Sequence, residues 1–248
     1  SFFLSFIFPH VKFISTLRNV PWQDYPSYYS HYIAKFICFI HLFILKSSRL
    51  FVVACSPTVL SAVNTFIPNC TCFVDNCYTG KSYSPSITNK SLPSFQRPLK
   101  FLSLSPLIPR KRISKIIECL SSASVSFELD ICGVGTLYKQ LFNNNFDDRI
   151  RFLGHITPSS SFFLDYDILI SFSDSEGLPN SVIEALYNGL FCILSPIPAH
   201  LYLKSLSDRV FIIDDFSPSS LHLVLSKLVN ITPSESYLLE FRIYFEPQ

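Results

Sequence analysis

The stretch from Asp167 to Leu194, DILISFSDSEGLPNSVIEALYNGLFCIL, indicates the fold class. The apolar run Asp167–Phe172 predicts one buried strand, and the apolar run Leu190–Leu194 predicts a second. Between them, Pro179–Asn188 carries apolar residues at helical spacing after a polar turn. Because buried strands joined by a single helix run parallel, the stretch predicts an α/β fold whose sheet is covered on both faces.

The same alternation of strands and helices extends over residues 98–248. Further strands are expected at Leu99–Ser105, Val125–Cys132, Ile150–Leu153 and Val210–Ile213. Further helices are expected at Lys111–Ser121, Gly135–Asn143, Ser159–Leu164, near His200 and at Pro218–Val229. Right-handed crossovers between such elements give a complete, doubly wound, Rossmann-like domain.

Residues 1–77 predict a smaller set of elements of the same kind. These are strands at Val11–Thr16 and Arg49–Cys55, with helices near 27–46 and 57–64. Two strands make a poor sheet, so we expect the latter part of a second Rossmann-like domain whose first strands precede residue 1. Residues 78–97 are rich in Ser, Pro, Thr and Lys and are expected to form a linker. Ligands of parallel sheets bind beyond the strands' carboxyl ends, so the site is expected in the cleft between the two domains.

Composition excludes several classes of protein. Of 248 residues 48% are hydrophobic, and 20 basic side chains face 18 acidic ones, so the chain is neither disordered nor a dedicated nucleic-acid binder. Eight cysteines lie in apolar stretches without Cys-x-x-Cys spacing, which favours reduced, cytosolic thiols over disulfides or a zinc site. The opening SFFLSFIF is short and lacks a basic flank, so we expect no signal peptide.

The segment Ile33–Leu45, IAKFICFIHLFIL, is apolar but shorter than the ~20 residues that a bilayer crossing needs. Its apolar residues follow helical spacing, which predicts a mostly buried helix. The alternative is a helix lying on a membrane surface, with Lys35, Lys46 and Arg49 near the head groups.

The segment Ile131–Leu137, ICGVGTL, places Gly133 and Gly135 in a turn between a strand and a helix. A dinucleotide fingerprint needs a third glycine, but residue 138 is Tyr, so NAD binding is not favoured. Two interpretations stay open. The turn either lets a ligand approach the backbone or serves packing alone.

The polar turn before the predicted helix at Pro179–Asn188 carries the strongest functional signal. Pro179 suits a first helical position, and the N–H groups of Asn180 and Ser181 then face an anionic or hydroxyl-rich ligand. Glu176 precedes this helix and Glu184 lies within it, so their carboxylates can accept hydrogen bonds from a sugar and a ribose. The alternative is an acidic first turn that merely complements the helix dipole.

A run of basic residues complements the two carboxylates of this segment. No acidic residue separates Asp75 from Glu118, and the basic ones between them are Lys81, Lys90, Arg97, Lys100, Arg110, Lys111, Arg112 and Lys115. Arg110-Lys111-Arg112 follows a predicted strand, where such a cluster can hold a diphosphate and stabilise a departing one. A merely solvated helix start is the alternative.

Together these segments resemble the retaining GT-B glycosyltransferases of family 4, the glycosyl transferases group 1. The resemblance is most specific at EGLPNSVIEALYNG, which is similar to that family's E-x7-E signature, here Glu176 to Glu184. SLSPLIPRKRISKII is similar to the family's strand and basic turn, ICGVGTLYKQL to its Gly-x-Gly segment and RIRFLGHI to the next strand. FISTLRNVPWQDY and VVACSPTVL resemble the latter half of the acceptor-side domain, so the chain is similar to an N-terminally truncated member.

The resemblance implies transfer of a sugar, with retention of anomeric configuration, from a nucleotide diphosphate sugar to a glycan or lipid-linked acceptor. It implies a role in surface polysaccharide biosynthesis at the cytoplasmic face of a membrane. Lys111 would hold the diphosphate, Glu176 would contact the donor sugar and Glu184 would bind the ribose. Further donor-side positions are Arg110, Arg112, Gly133, Gly135, His155, Gly177, Leu178, Asn180 and Ser181, and Arg18 stands at the family's acceptor-side histidine. No metal or other cofactor is implied, because cationic side chains stabilise the leaving group.

The sequence departs from the family pattern at several positions. Pro106 stands where the family has the Arg that partners its basic-turn Lys, and Arg112 stands where it has Gly. Arg110 or Arg112 can compensate. Two alternatives therefore stay open: a non-catalytic remnant that keeps a nucleotide-sugar pocket, and a sugar-nucleotide epimerase of the same fold.

Overall fold

The computed structural model describes residues 8, 10–77, 93, 96–145, 147–229 and 235–246. The chain divides into two compact units. The first unit comprises Ser1–Asn76 together with Ser175–Pro179, and the second comprises Cys77–Asp174 together with Asn180–Gln248. Most of the predicted linker, residues 78–97, lies outside the described residues.

Three parallel strands form the sheet of the first unit, in the order β1-β2-β3. The strands are β1 (Phe13–Leu17), β2 (Leu50–Ala54) and β3 (Cys70–Phe73). The helices are α1 (Pro21–Asp24), α2 (His31–Leu45) and α3 (Pro57–Val63), and a 3-10 turn spans Tyr25–Ser27. The expectation of only two strands was wrong, because β3 is four residues long and its alternation is too short to recognise in the sequence.

Six parallel strands form the sheet of the second unit, in the order β6-β5-β4-β7-β8-β9. They are β4 (Leu99–Leu104), β5 (Phe127–Cys132), β6 (Ile150–Gly154), β7 (Ile168–Ser171), β8 (Phe191–Leu194) and β9 (Val210–Ile212). Strands are added outward from β4 in one direction and from β7 in the other, which is the doubly wound Rossmann-like order. The predicted α/β class is confirmed, and the switch point of the topology falls between β4 and β7.

Seven helices are described in the second unit. They are α4 (Ile113–Ser121), α5 (Tyr138–Asn143), α6 (Ser160–Phe163), α7 (Asn180–Tyr187), α8 (Pro198–Leu206), α9 (Pro218–Val229) and α10 (Glu235–Phe245). Helix α8 is longer than the single turn expected near His200, and α10 was not predicted. Helix α10 is anchored by the buried rings of Phe241 and Phe245 and by Arg242, whose Nε donates to the Tyr187 carbonyl at 2.8 Å.

The core of the second unit lies on its sheet. Buried side chains from β4, β5, β7 and β8 pack with the apolar faces of α4 and α9 in one continuous cluster. Strand β8, FCIL, is buried at every position, as expected for a central strand of a parallel sheet covered on both faces.

Helix α2 corrects a prediction. The sequence favoured a mostly buried helix, but only Ala34, Cys38 and Leu45 are buried in it. Several of its large apolar side chains point outward, because helical spacing shows that a helix has an apolar face but not whether anything covers it. Within the described part of the chain, no helix has both the length and the apolar character that crossing a membrane requires.

Candidate functional site

The basic turn sits at the switch point of the second unit. After β4, a 3-10 turn covers Pro109–Lys111, and Arg112 leads into α4. Arg110 and Lys111 are each only 9% exposed, whereas the Arg112 side chain is 42% exposed. The turn therefore concentrates positive charge at the carboxyl edge of the sheet, where ligands of doubly wound folds bind.

The backbone conformation at Arg112 is one that suits glycine. Its backbone is left-handed, with φ 49° and ψ 39°, a conformation that glycine adopts without steric cost. The Arg112 side chain is engaged on two sides. It forms an ion pair with Asp174, and its guanidinium carbon lies 5.6 Å from the centre of the Phe216 ring.

The basic turn meets the loop that begins after β7. Strands β4 and β7 pair in parallel, with Phe101 opposite Ile168. Beyond them, the Asp174 N–H donates to the Arg110 carbonyl at 2.8 Å, and the Asp174 carboxylate pairs with Arg112. The second unit thus holds its cationic turn directly against the residue that precedes the signature loop. Sequence reasoning missed Asp174, although an acid next to a signature is a usable signal.

The Gly-x-Gly turn packs on the same edge. The Leu107 N–H donates to the Val134 carbonyl at 3.0 Å. Gly133 has φ 147°, and a Cβ built on it or on Gly135 would come closer than 3.0 Å to the carbonyls of Ser105 and Leu107 respectively. The approach of the neighbouring backbone is therefore sufficient reason for both glycines, which supports the packing interpretation that the sequence left open.

His155 follows the end of β6 on this edge. The Gly133 N–H donates to the Gly154 carbonyl at 2.6 Å, and Gly154 has φ 71°. The His155 side chain is exposed. The structure thus brings the loop after β6 against the Gly-x-Gly turn, with His155 exposed beside them.

Helix α7 carries the second predicted carboxylate. It begins at Asn180, one residue later than predicted, and Ser181 and Glu184 in it are half-buried. Burial raises the pKa of Glu184 above its usual range. A carboxylate held in a partly desolvated position gains more from a hydroxyl donor than one in water does.

A buried polar network at the carboxyl ends of β7 and β8 was not predicted from the sequence. Ser195 follows β8, and its Oγ donates to the Ser173 carbonyl at 2.6 Å. His200 is fully buried in α8, and its Nδ1 lies 2.9 Å from the Ser195 carbonyl. Since a carbonyl can only accept, Nδ1 carries the proton. These bonds tie the carboxyl ends of β7 and β8 together.

The remaining predicted residues lie in the first unit. Within it, Ser56 Oγ donates to the Gly177 carbonyl at 2.9 Å, and Asn76 Nδ2 donates to the Leu178 carbonyl at 3.0 Å. A Cβ at Gly177 would overlap the Arg18 carbonyl. Glycine is therefore required where this segment crosses the end of β1, next to Arg18. Glu176 in the same segment is half-buried.

The predicted residues thus fall into two groups. Those of the second unit are Arg110, Lys111, Arg112, Gly133, Gly135, His155, Asn180, Ser181 and Glu184. Those of the first unit are Arg18, Glu176, Gly177 and Leu178. Among the described residues, no group of three or more His, Cys, Asp or Glu side chains is arranged to hold a metal ion.

Comparison with solved structures defines the fold class as that of the GT-B glycosyltransferases. Sucrose-phosphate synthase from Thermosynechococcus elongatus superposes with a TM-score of 0.75 at 12% identity, over 99% of this chain and 67% of that one. HepE from Anabaena, in complex with UDP and glucose, gives 0.70 at 15% identity, over 98% and 68%. A single-residue mutant of TarM from S. aureus gives 0.64 at 15% identity, over 93% and 45%.

The sequence itself identifies the family. Residues 87–239, more than half of the chain, match the model of the glycosyl transferases group 1, and the chain belongs to this family. The resemblance to the glycosyl transferases group 1 is therefore confirmed as family membership. No curated protein gave a significant sequence match.

Proposed function

We propose that the chain transfers a sugar from a nucleotide diphosphate sugar to a glycan or lipid-linked acceptor, with retention of anomeric configuration. The observation that carries the proposal is the junction at the switch point of the second unit. There the turn containing Arg110, Lys111 and Arg112 adjoins Asp174, on the sheet edge that also holds Gly133. Family membership supports sugar transfer as the reaction.

Lys111 is proposed to bind the diphosphate of the donor. A lysine that is mostly shielded from water interacts strongly with a phosphate, because water weakens the attraction between the two charges less there than at an exposed position. The N-terminus of α7, which begins at Asn180, adds partial positive charge through the helix dipole. These groups stabilise the negative charge that develops as the diphosphate leaves, so the proposed reaction requires no divalent metal.

Glu184 is proposed to accept hydrogen bonds from the ribose, and Glu176 from hydroxyl groups of the donor sugar. Arg18 is proposed to contact the donor on the acceptor side. In the reaction, the bond between the anomeric carbon and the diphosphate oxygen breaks while an acceptor oxygen bonds to the same carbon on the same face. The proton of the acceptor hydroxyl passes to the departing phosphate oxygen, so charge and atoms balance.

We also propose that the product is a surface polysaccharide or lipid-linked glycan assembled on the cytoplasmic side of a membrane. WaaG, which superposes with a TM-score of 0.61 at 16% identity, is a glycosyltransferase involved in lipopolysaccharide biosynthesis. The similarity to WaaG supports the proposed place of synthesis only as an analogy between folds.

The test is transfer by the full chain from a panel of labelled nucleotide sugars, beginning with UDP-sugars because HepE was solved with UDP. Lys111→Ala and Glu184→Ala are each expected to lower kcat/KM at least tenfold, while Lys115→Ala, an exposed lysine on α4, is the matched control. Retention is read from the anomeric coupling constant of the product by proton NMR. Wild-type transfer by both variants, or an inverted product, contradicts the mechanism.

A non-catalytic nucleotide-sugar binder is the second candidate, favoured by Pro106 at the position of the family's Arg and by the engagement of Arg112 with Asp174. It predicts donor binding that depends on Lys111 without any transfer. The same panel separates it from an epimerase, which converts the labelled donor without an acceptor.

A further inference from the structure

Helix α2 of the first unit presents an apolar face outward. Phe36, Phe39 and Phe43 are 65%, 69% and 67% exposed, and their spacing places them on one side of the helix. The other large exposed apolar side chains of α2 are Tyr32, Ile33 and Ile40. A contiguous apolar patch of this kind marks an interaction surface.

The orientation of α2 is fixed by its opposite face. Ala34, Cys38 and Leu45 are buried there. In addition, the Tyr25 hydroxyl lies 2.6 Å from Nδ1 of His41, which ties the helix to the preceding 3-10 turn. Turning the phenylalanines inward would break this packing, so the aromatic face stays outward.

The positive charge on and next to α2 favours an anionic partner. Helix α2 has no acidic residue, and Lys35, Lys46 and Arg49 are exposed on or just beyond it. The first 76 residues hold five basic and two acidic side chains. Two copies docked symmetrically through this face would bring like charges together, whereas an anionic lipid surface accepts both the aromatic rings and the positive charges.

The length of α2 sets how it meets a bilayer. Its 15 residues span about 22 Å at 1.5 Å per residue, less than the ~30 Å of a hydrocarbon core. The helix also carries Lys35 and His41 within its length. An orientation parallel to the membrane plane accommodates both facts.

We propose that α2 is a membrane-surface helix, with Phe36, Phe39 and Phe43 inserted at the boundary of head groups and acyl chains and Lys35, Lys46 and Arg49 on the phosphates of anionic lipids. The proposal goes beyond sugar transfer and depends on none of the donor-binding residues. It would hold the chain where a lipid-linked acceptor is found.

The experiment is flotation of the full chain with neutral phosphatidylcholine vesicles and with vesicles containing about a third phosphatidylglycerol. The wild-type chain is expected to float with the anionic vesicles and to dissociate from them as salt is raised. The triple variant Phe36→Ser, Phe39→Ser, Phe43→Ser is expected to lose at least tenfold in partitioning. The double variant Lys35→Ser, Lys46→Ser is expected to lose the preference for anionic vesicles.

Matched controls keep the outcome interpretable. Leu201, Leu223 and Leu239 of the second unit are also large exposed apolar side chains, at 48%, 56% and 53%, and replacing all three by Ser should leave partitioning unchanged. Circular dichroism confirms folding, and nucleotide binding in vesicle-free solution should be the same in all variants, so failure here is distinct from failure of the transferase proposal. Absence of wild-type flotation, undiminished flotation of both variants, or a wild-type dimer that the triple variant dissociates, would each overturn the proposal.

Discussion

Replacing Gly133 by Ala tests the packing of the turn that borders the proposed donor site. The new methyl group would overlap the Ser105 carbonyl, and φ 147° is unfavourable for an L-residue. Backbone strain of about 1–3 kcal/mol and overpacking of about 1–3 kcal/mol together predict a loss of about 2–6 kcal/mol. Ser105, whose backbone would be displaced, lies in the loop that leads from β4 into the basic turn. The affinity for nucleotides should therefore fall together with the stability.

Gly154→Ala is the matched control, because Gly154 also has positive φ, 71°, but no heavy atom lies within 4 Å of a Cβ built there. It should cost only the backbone strain, about 1–2 kcal/mol. Urea unfolding followed by circular dichroism compares the two, and at about 2–4 °C per kcal/mol the thermal midpoints should also separate clearly. Equal destabilisation by the two substitutions would refute the close approach of the Ser105 backbone.

Three further predictions address single side chains. Burial raises the pKa of Glu184, so Glu184→Gln should stabilise the fold at pH 7. The gain should vanish as the pH falls below the ordinary value of 4.5, because Glu184 is then protonated and uncharged in both the folded and the unfolded chain. A gain that is unchanged at pH 4 would contradict this. Arg112→Ala should unfold at lower urea than Arg112→Gly, by about 1 kcal/mol, since only Gly adopts φ 49° freely; equal midpoints would argue against the left-handed backbone. Alkylation of the native chain at pH 8, read by mass spectrometry, should modify exposed Cys77 before the buried Cys55 and Cys119, whose pKa values burial raises to about 11; early modification of Cys55 would be inconsistent with its burial.

Much of the second unit could be predicted from the sequence because its strands are short apolar runs separated by helical patterns. Strand β5 was expected at Val125–Cys132 and is observed at Phe127–Cys132, and α9 has the predicted bounds. Parallel order followed from these connections, and parallel order places the basic turn and the loop after β7 on one edge.

Other features depend on contacts between distant parts of the chain. The left-handed backbone of Arg112 is not visible in the sequence, because arginine rarely adopts it. The bonds among Ser173, Ser195 and His200 join two strands whose pairing must be known first. The outward face of α2 was misjudged for the same reason, since hydrophobic spacing does not show what lies opposite.

Calorimetric titration of the full chain with nucleoside diphosphates is the decisive measurement for the donor site. We expect measurable binding of at least one diphosphate, weakened at least tenfold by Lys111→Ala and left unchanged by Lys115→Ala. Of these two lysines, Lys111 lies shielded in the turn after β4, whereas Lys115 is exposed on α4. No binding of any nucleotide, or equal affinity in both variants, would be incompatible with a donor site built on the basic turn.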